Sequence, residues 1–427
     1  MSCARPPGRA ARLRRRLPGA DLPAGFGVLW TTVAVDLLGF GIVVPLLPLY
    51  ARHLGAGPVS IGLLLAAFSG AQLACAPVLG RVSDRVGRKP VLLLSLAGTA
   101  AASLLTGLAG SLWLLLVARV LDGASGGSVA VAQAAASDMV GPGQRARVFG
   151  MLGSAFGVGF VVGPAVGGLA ALGGARLPFF VAAAIAGANT VVARRRLPET
   201  RPSPRSGGEG TGAWRGRRGV LGAVAVPAAI TVLVVGAFSA FEATFPLFGH
   251  RRLGFGLSAT GVVFALVGAV VAVMQLGVVR PAVARLGEAG CLRLGLGLEG
   301  VGLLLVPTVH SRPGLVVPLV LVAAGQSLTT PTLAALVAGR VGPDRTGAAL
   351  GAQQGSSALA RVAGPLAGGL AYGLVGTGSP FVGGGLVVAG ALVCSLVVRG
   401  GLATVPPGRP QMVAEDVPGR LPLSNNG

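Results

Sequence analysis

The stretch GRVSDRVGRK, Gly80 to Lys89, places five charges in ten residues between two apolar runs of membrane length. Arginines at the end of a hydrophobic run can serve as topological charge that keeps a loop on one side of a bilayer. That reading accounts for Arg81, Arg85, Arg88 and Lys89, but it leaves Asp84 and the glycines at 80 and 87 without a purpose. At Gly80 a helix reaches the membrane surface. Asp84 can there accept hydrogen bonds from the open amino end of a neighbouring helix, where the helix dipole favours an anion. Arg85, Arg88 and Lys89 offer cations to partners such as Asp138, which ends the next apolar run but one.

Composition sets the class around this stretch. The chain has 427 residues, 52% hydrophobic and 11% charged, and its mean hydropathy of +0.77 lies outside the range of ordinary soluble domains. In runs this apolar, the 72 glycines and 30 prolines fit helices that pack closely and bend. The net charge of +22 does not imply nucleic acid, because Arg5, Arg9, Arg12 and Arg14 to Arg16 precede a hydrophobic run and most other basic residues occupy short loops. The cysteines Cys3, Cys75, Cys291 and Cys394 have no metal-ligand or redox spacing and read as structural thiols.

Twelve spans are expected, near 26–50, 58–79, 90–109, 111–137, 147–171, 177–194, 220–248, 257–279, 289–308, 313–339, 347–374 and 379–398. The first run is too long for the apolar region of a signal peptide, about 7–15 residues, and reads as a retained membrane helix. The chain therefore divides into a basic tail over 1–25, a six-helix half over 26–194, a linker over 195–219, a second half over 220–398 and a polar, disordered tail over 399–427. Arginine is densest in the loops on the GRVSDRVGRK side and in the linker, which puts both termini in the cytoplasm of a plasma-membrane protein.

The two halves repeat. VGPGQRARVFG…VGPAVGGLA, from Val140 to Ala170, lies over VGPDRTGAALG…AGPLAGGLA, from Val341 to Ala371, without a gap, and DRVG at 84–87 lies over ARLG at 284–287. Tandem six-helix halves related by an axis along the membrane normal are a transporter architecture, with substrate bound between the halves near the midplane.

GRVSDRVGRK resembles the major facilitator signature GxxxDRxGRK, agreeing at Gly80, Asp84, Arg85, Gly87, Arg88 and Lys89. RVLDG at 119–123 resembles the family's RxxxG element, and GFVVGPAVGG at 159–168 resembles the GxxxGPxxGG element of drug/proton antiporters. DLLGFGIVVPLLP at 36–48 and LPET at 197–200 fit the same group, and the tetracycline-efflux branch of the twelve-span antiporters is the most similar. The resemblance implies an all-α membrane protein with the major facilitator fold. It also implies that contacts of Asp84 with the eleventh helix and of Arg88 with Asp138 clamp the cytoplasmic side shut in the outward-facing state. Gly159, Gly163 and Gly167 share one helix face, Pro164 removes a helical hydrogen bond, and Gly168 follows. Close packing alone would explain that pattern; the resemblance adds a role in antiport.

Ionisable residues inside spans are costly and therefore candidates for function. They are Asp36 in the first span, Arg119 and Asp122 in the fourth, Glu242 in the seventh, Glu299 in the ninth and Arg361 in the eleventh. Asp36, Arg119, Asp122, Glu242 and Glu299 are the expected proton-coupling and substrate-cavity residues. Arg119 and Asp122, at i and i+3, either neutralise each other or take part in coupling. Asp36, about 10 residues into its span, either pairs with a cation such as Arg119 or takes a proton. Relative to the tetracycline branch, SLAGTAAAS at 95–103 lacks an acid, VGAVVAVMQ at 267–275 lacks a histidine, and Glu242 is additional. Glu242 either helps select charge, relays protons to the deeper acid Asp36, or only bonds a neighbouring helix.

Three function classes divide on these features. An enzyme is excluded, since the chain has no GxSxG, HExxH or P-loop and no polar domain to hold a site. A membrane scaffold does not need intramembrane acids. A transporter does, and the reading is proton-coupled efflux of small amphiphilic, cationic or zwitterionic compounds by alternating access, with an uptake symporter of the same fold as the alternative. The expected partners are the small-molecule substrate, protons and the lipid bilayer, with no nucleic acid and a monomeric carrier. The proton gradient would supply the energy, with no cofactor and no metal.

Overall fold

The computed structural model describes residues 23, 25–140, 144–200, 217–341 and 346–397. The basic tail up to residue 22, residues 201–216 of the linker and the tail from 398 lie outside them. Thirteen α-helices are present among the described residues. They are α1 Phe26–His53, α2 Pro58–Val86, α3 Arg88–Leu108, α4 Leu112–Ser125, α5 Ser128–Asp138, α6 Arg145–Ala170 and α7 Leu177–Arg196. After the linker come α8 Arg217–Leu253, α9 Leu257–Val273, α10 Val279–Leu305, α11 Val316–Ala338, α12 Thr346–Leu374 and α13 Ser379–Val397. Ten runs among the described residues are long and apolar enough to cross a membrane.

The chain interrupts these helices where its sequence demands. The GRVSDRVGRK stretch is not a loop: α2 continues through Val86, and only Gly87 turns, at φ +110°, before α3 starts at Arg88. Its counterpart Gly287, at φ +70°, turns the chain inside α10. Only glycine enters that region without strain, so DRVG and ARLG both mark reversals. The run from Leu257 to Thr308 spans 52 residues, about 78 Å at helical rise against a hydrocarbon core of about 30 Å, and the Gly287 turn divides it. A π-helical segment, Met274–Val278, joins α9 to α10, so the expected 257–279 span continues to the turn. The expected 111–137 span is broken as well, into α4 and α5 at Gly126 and Gly127. The Gly126 carbonyl freed there accepts the Gln72 side-chain amide at 2.8 Å, as a buried backbone group must in a medium without water.

Glycine sets the helix contacts. Along α6, a Cβ at Gly159 would meet Leu37, one at Gly163 would lie 2.7 Å from the Gly41 Cα, and one at Gly167 would meet Ile42 and Leu46. The i, i+4, i+8 face expected from sequence is thus the seat of α1. Gly168 points elsewhere, to Ser258 and Gly261 of α9. The repeat in α12 divides its labour in the same way: Gly364 and Gly368 pack on Gly236 and Ala240 of α8, whereas Gly369 packs on Pro58 and Gly62 of α2.

Two ends of the bundle differ. At the end away from the signature one apolar cluster runs through α1, α2, α7 and α8 to α13, with Tyr50, Phe179, Phe241, Phe245, Phe248, Phe255 and Phe381 in it. Phe241 and Phe245 ring centroids lie 5.1 Å apart, as do those of Phe248 and Phe381. At the signature end the core is split. One cluster joins α1, α3, α5 and α6 to Leu197, and another, smaller one joins Val224, Val337 and Ala349. In α2 the buried residues run from Ile61 to Ser69, and below them Ser83 is the only buried one. The helices are closed together opposite the signature and stand apart beside it.

Replacing Gly163 by alanine drives a methyl into the α1 backbone, which cannot yield as a side chain would. Gly157, in the same helix, has open space where a Cβ would stand. Thermal unfolding of the purified protein should show Gly163→Ala several degrees below wild type, and Gly157→Ala level or slightly higher from the gain in helix propensity.

Candidate functional site

The break between α4 and α5 builds the centre of the site. Ser128 opens α5, and its hydroxyl donates to Asp36 Oδ2 at 2.7 Å. The other oxygen of Asp36 is buried and makes no hydrogen bond. Arg119 does not reach Asp36. About two turns before the break, its Nη1 donates to Asp122 Oδ2 at 2.7 Å, and its guanidinium carbon stands 4.4 Å from the centre of the Phe68 ring. Arg119 is 1% exposed, and its Nε and Nη2 are buried without a hydrogen bond. Of the alternatives open in sequence, the geometry forms the local Arg119–Asp122 pair and leaves Asp36 with a hydroxyl for its partner. Asp122 and Asp36 are close enough to repel each other electrostatically.

The acids of the second half separate into two settings. Glu299, on α10, is fully buried against α11, where Gly325 leaves room for its backbone and Cβ, and neither carboxyl oxygen makes a hydrogen bond. It sits inside a helix interface, apart from Asp36 and Glu242. Glu242, on α8, is half-buried and lies within electrostatic range of Arg361, on α12, whose side chain is exposed. No direct ion pair joins them. An exposed guanidinium in the middle of a membrane-length helix needs an aqueous space to face. Gly364 and Gly368 hold α12 against α8 just beyond it.

The signature forms a network centred on Arg88. Its Nε donates to Asp138 Oδ2 at 2.9 Å, and its Nη1 donates to Asp84 Oδ1 at 2.5 Å and to Ser83 Oγ at 2.7 Å. The Arg88–Asp138 contact implied by the family resemblance is present. Asp84 instead turns back to Arg88 and its side chain stays 62% exposed, in keeping with the open signature end; residues 342–345, before α12, lie outside the described residues. Gly80 supplies the carbonyl that accepts from Ser83, while Arg85 is exposed and Lys89 joins through its backbone.

Two participants escaped the sequence reading, and a third was seen without its partner. Glu199, in LPET, accepts the Arg88 backbone N–H at 2.8 Å and approaches that of Lys89 at 3.3 Å, so the start of the linker caps the amino end of α3. Gly87 leaves room for that carboxylate, since a Cβ there would stand 2.7 Å from Glu199 Oε2. Ser128 was detectable only as a polar residue after a glycine pair. Arg361 was visible as a charge within a span, but nothing in the chain's order ties it to Glu242.

A membrane bundle with carboxylates and cations in its interior and a charged network at one open end is that of a solute transporter. The model of the Major Facilitator Superfamily matches residues 29–298 and 278–424, and the chain belongs to that family. The class G tetracycline resistance protein of Vibrio anguillarum is 34% identical over 352 residues, 78% of this chain and 86% of its own. Multidrug resistance protein 1 of Bacillus subtilis (strain 168) is 27% identical, over 81% of this chain and 89% of its own. Among solved structures, the human organic anion transporter MFSD10 (TETRAN) is similar at 25% identity and a TM-score of 0.66, covering 87% of this chain and 98% of that one.

Removing one member of a buried ion pair strands the other, at a cost of about 3–5 kcal/mol, whereas removing both releases the strain. Asp122→Asn and Arg119→Met should each lower the unfolding temperature by more than the double variant does. Fluorescence-detected thermal unfolding of the three proteins measures the difference.

Proposed function

We propose that the chain is a proton-coupled exporter of small amphiphilic compounds working by alternating access. Twelve membrane passes support that machinery: the 257–308 run turns at Gly287 and counts as two, and α12 adds one to the ten runs. Six passes precede the linker and six follow it, each half built around one GPxxGG helix. Arginine-rich loops at the signature end make that end cytoplasmic, so the closed end faces outward and the conformation is inward-open.

The observation that carries the reading is Asp36, a carboxylate in the middle of a membrane helix with a hydroxyl and no cation as its partner. A group so placed can exchange a proton without breaking an ion pair. Among the described residues its only hydrogen bond comes from the amino end of a separate helix segment. In an exporter of this design, proton and substrate compete: the proton entering from outside neutralises Asp36, and the substrate leaves. The same site in an uptake symporter would bind proton and substrate together. Glu242 and Arg361, one of each sign and unpaired, support zwitterionic substrates above purely cationic ones.

In inverted vesicles, an imposed proton gradient should drive uptake of a labelled lipophilic zwitterion by the wild type. Asp36→Asn should abolish gradient-driven accumulation and retain substrate exchange at equal concentrations. Wild-type accumulation by that variant would remove Asp36 from coupling, and substrate movement in the direction of the proton would turn the exporter into a symporter. Glu242→Gln should weaken export of zwitterions and cations about tenfold more than export of neutral compounds of similar size, as loss of a charge-assisted contact would. Export assays on matched compounds test this.

A further inference from the structure

The outer segments of the chain, 51–57, 109–111, 171–176, 249–256, 306–315 and 375–378, contain Arg52, Arg176, Arg251, Arg252 and Arg312, with His53, His250 and His310, and no Asp or Glu. Several of these cations are occupied. Arg252 donates to the Pro307 carbonyl, Arg312 donates to those of Leu253 and Gly254, and His250 Nδ1 meets the Phe255 carbonyl at 2.9 Å. Arg52, at the end of α1, and Arg251, at the end of α8, make no such bond, and both are exposed. Both act electrostatically on one group, the hydroxyl of Tyr372 near the end of α12.

Tyr372 is 5% exposed, and its hydroxyl is buried without a well-formed hydrogen bond, although Arg251 approaches it. A buried phenol with nothing to donate to is costly. The two arginines act on that hydroxyl, and the outer segments hold no carboxylate to balance them. Gly369, one turn before Tyr372, packs on Pro58 at the amino end of the 29-residue α2, whose dipole also favours negative charge. Every group at this junction calls for the same thing.

We propose that Arg52, Arg251 and Tyr372 form a binding site for a small oxyanion at the closed outer end, with the anion accepting the Tyr372 O–H and both guanidinium groups. The chemistry fits a phosphate, sulfate or carboxylate, free in solution or on a lipid headgroup. Because Arg52 belongs to α1 and the other two to α8 and α12, the anion bridges helices on both sides of the linker and holds the outer end shut. The site stands apart from the substrate and proton groups, and its test does not depend on transport.

The probe is inorganic phosphate, added to the purified full chain in phosphatidylcholine nanodiscs, with chloride at equal ionic strength as the control for screening. Phosphate should raise the unfolding midpoint by a few degrees over chloride. Tyr372→Phe, which keeps the ring packing, should weaken the apparent phosphate affinity about tenfold, Arg52→Gln and Arg251→Gln should abolish the shift, and Arg176→Gln, an outer arginine elsewhere, should preserve it. In nanodiscs containing phosphatidylglycerol, a midpoint already raised before phosphate is added, and lowered by Arg52→Gln, identifies the anion as a lipid headgroup. Equal wild-type midpoints in phosphate and chloride in both lipids, or a shift that survives Tyr372→Phe and Arg52→Gln unchanged, overturns the site.

Discussion

Helices dissolved in hydrocarbon gain little by hiding leucines from one another, so what holds them together has to be close approach of their backbones. Here that approach is made at glycine. Gly163 lies against Gly41, and Gly364 lies against Gly236, with no side chain between the two chains in either place. These contacts set how near α1 comes to α6 and α8 to α12, and thereby where Asp36 and Arg361 can stand. The aromatic cluster opposite the signature and the charged network at the signature are arranged around axes that the glycines have already placed.

One six-residue pattern serves two kinds of contact. In both GPxxGG helices the first two glycines of the pattern seat the neighbour from the same side of the linker, and the last seats a helix from the other side, α9 for Gly168 and α2 for Gly369. Losing the last glycine would therefore disturb a different joint from losing the first. The polar groups Gln72, Asp84 and Arg361 lie on α2 and α12, the two helices that the Gly369 contact brings together.

What could be read from the sequence follows the range of the interactions. The helices, the glycine face, the DRVG and ARLG reversals and the Arg88–Asp138 contact were legible, because apolar periodicity and glycine placement are local signals and the signature is a dense one. The breaks were less so: the GRVSDRV segment reads as a loop by its charge yet is helical, since its arginines project outward while the backbone bonds stay intact. Span 4 reads as continuous because Gly126 and Gly127 are common residues in membrane helices. Ser128 meets Asp36 and Glu199 meets Arg88 across 92 and 111 positions of chain, and no periodicity encodes a pairing of that separation. Glu299 read as a cavity residue from its charge and from its match to an acid of the tetracycline branch, and its burial against Gly325 is a matter of helix rotation.

The short helix α5 has a hydrogen bond at each end. Ser128, its first residue, holds Asp36, and Asp138, its last, holds Arg88. Ten residue steps of helix separate them, about 15 Å. A segment of this length does not stretch, and the glycine pair at 126 and 127 frees it from the segment carrying Arg119. One rigid piece of backbone thus has the Arg88 network at one end and the Asp36 carboxylate at the other, and the glycine pair puts its only break on the side of Arg119.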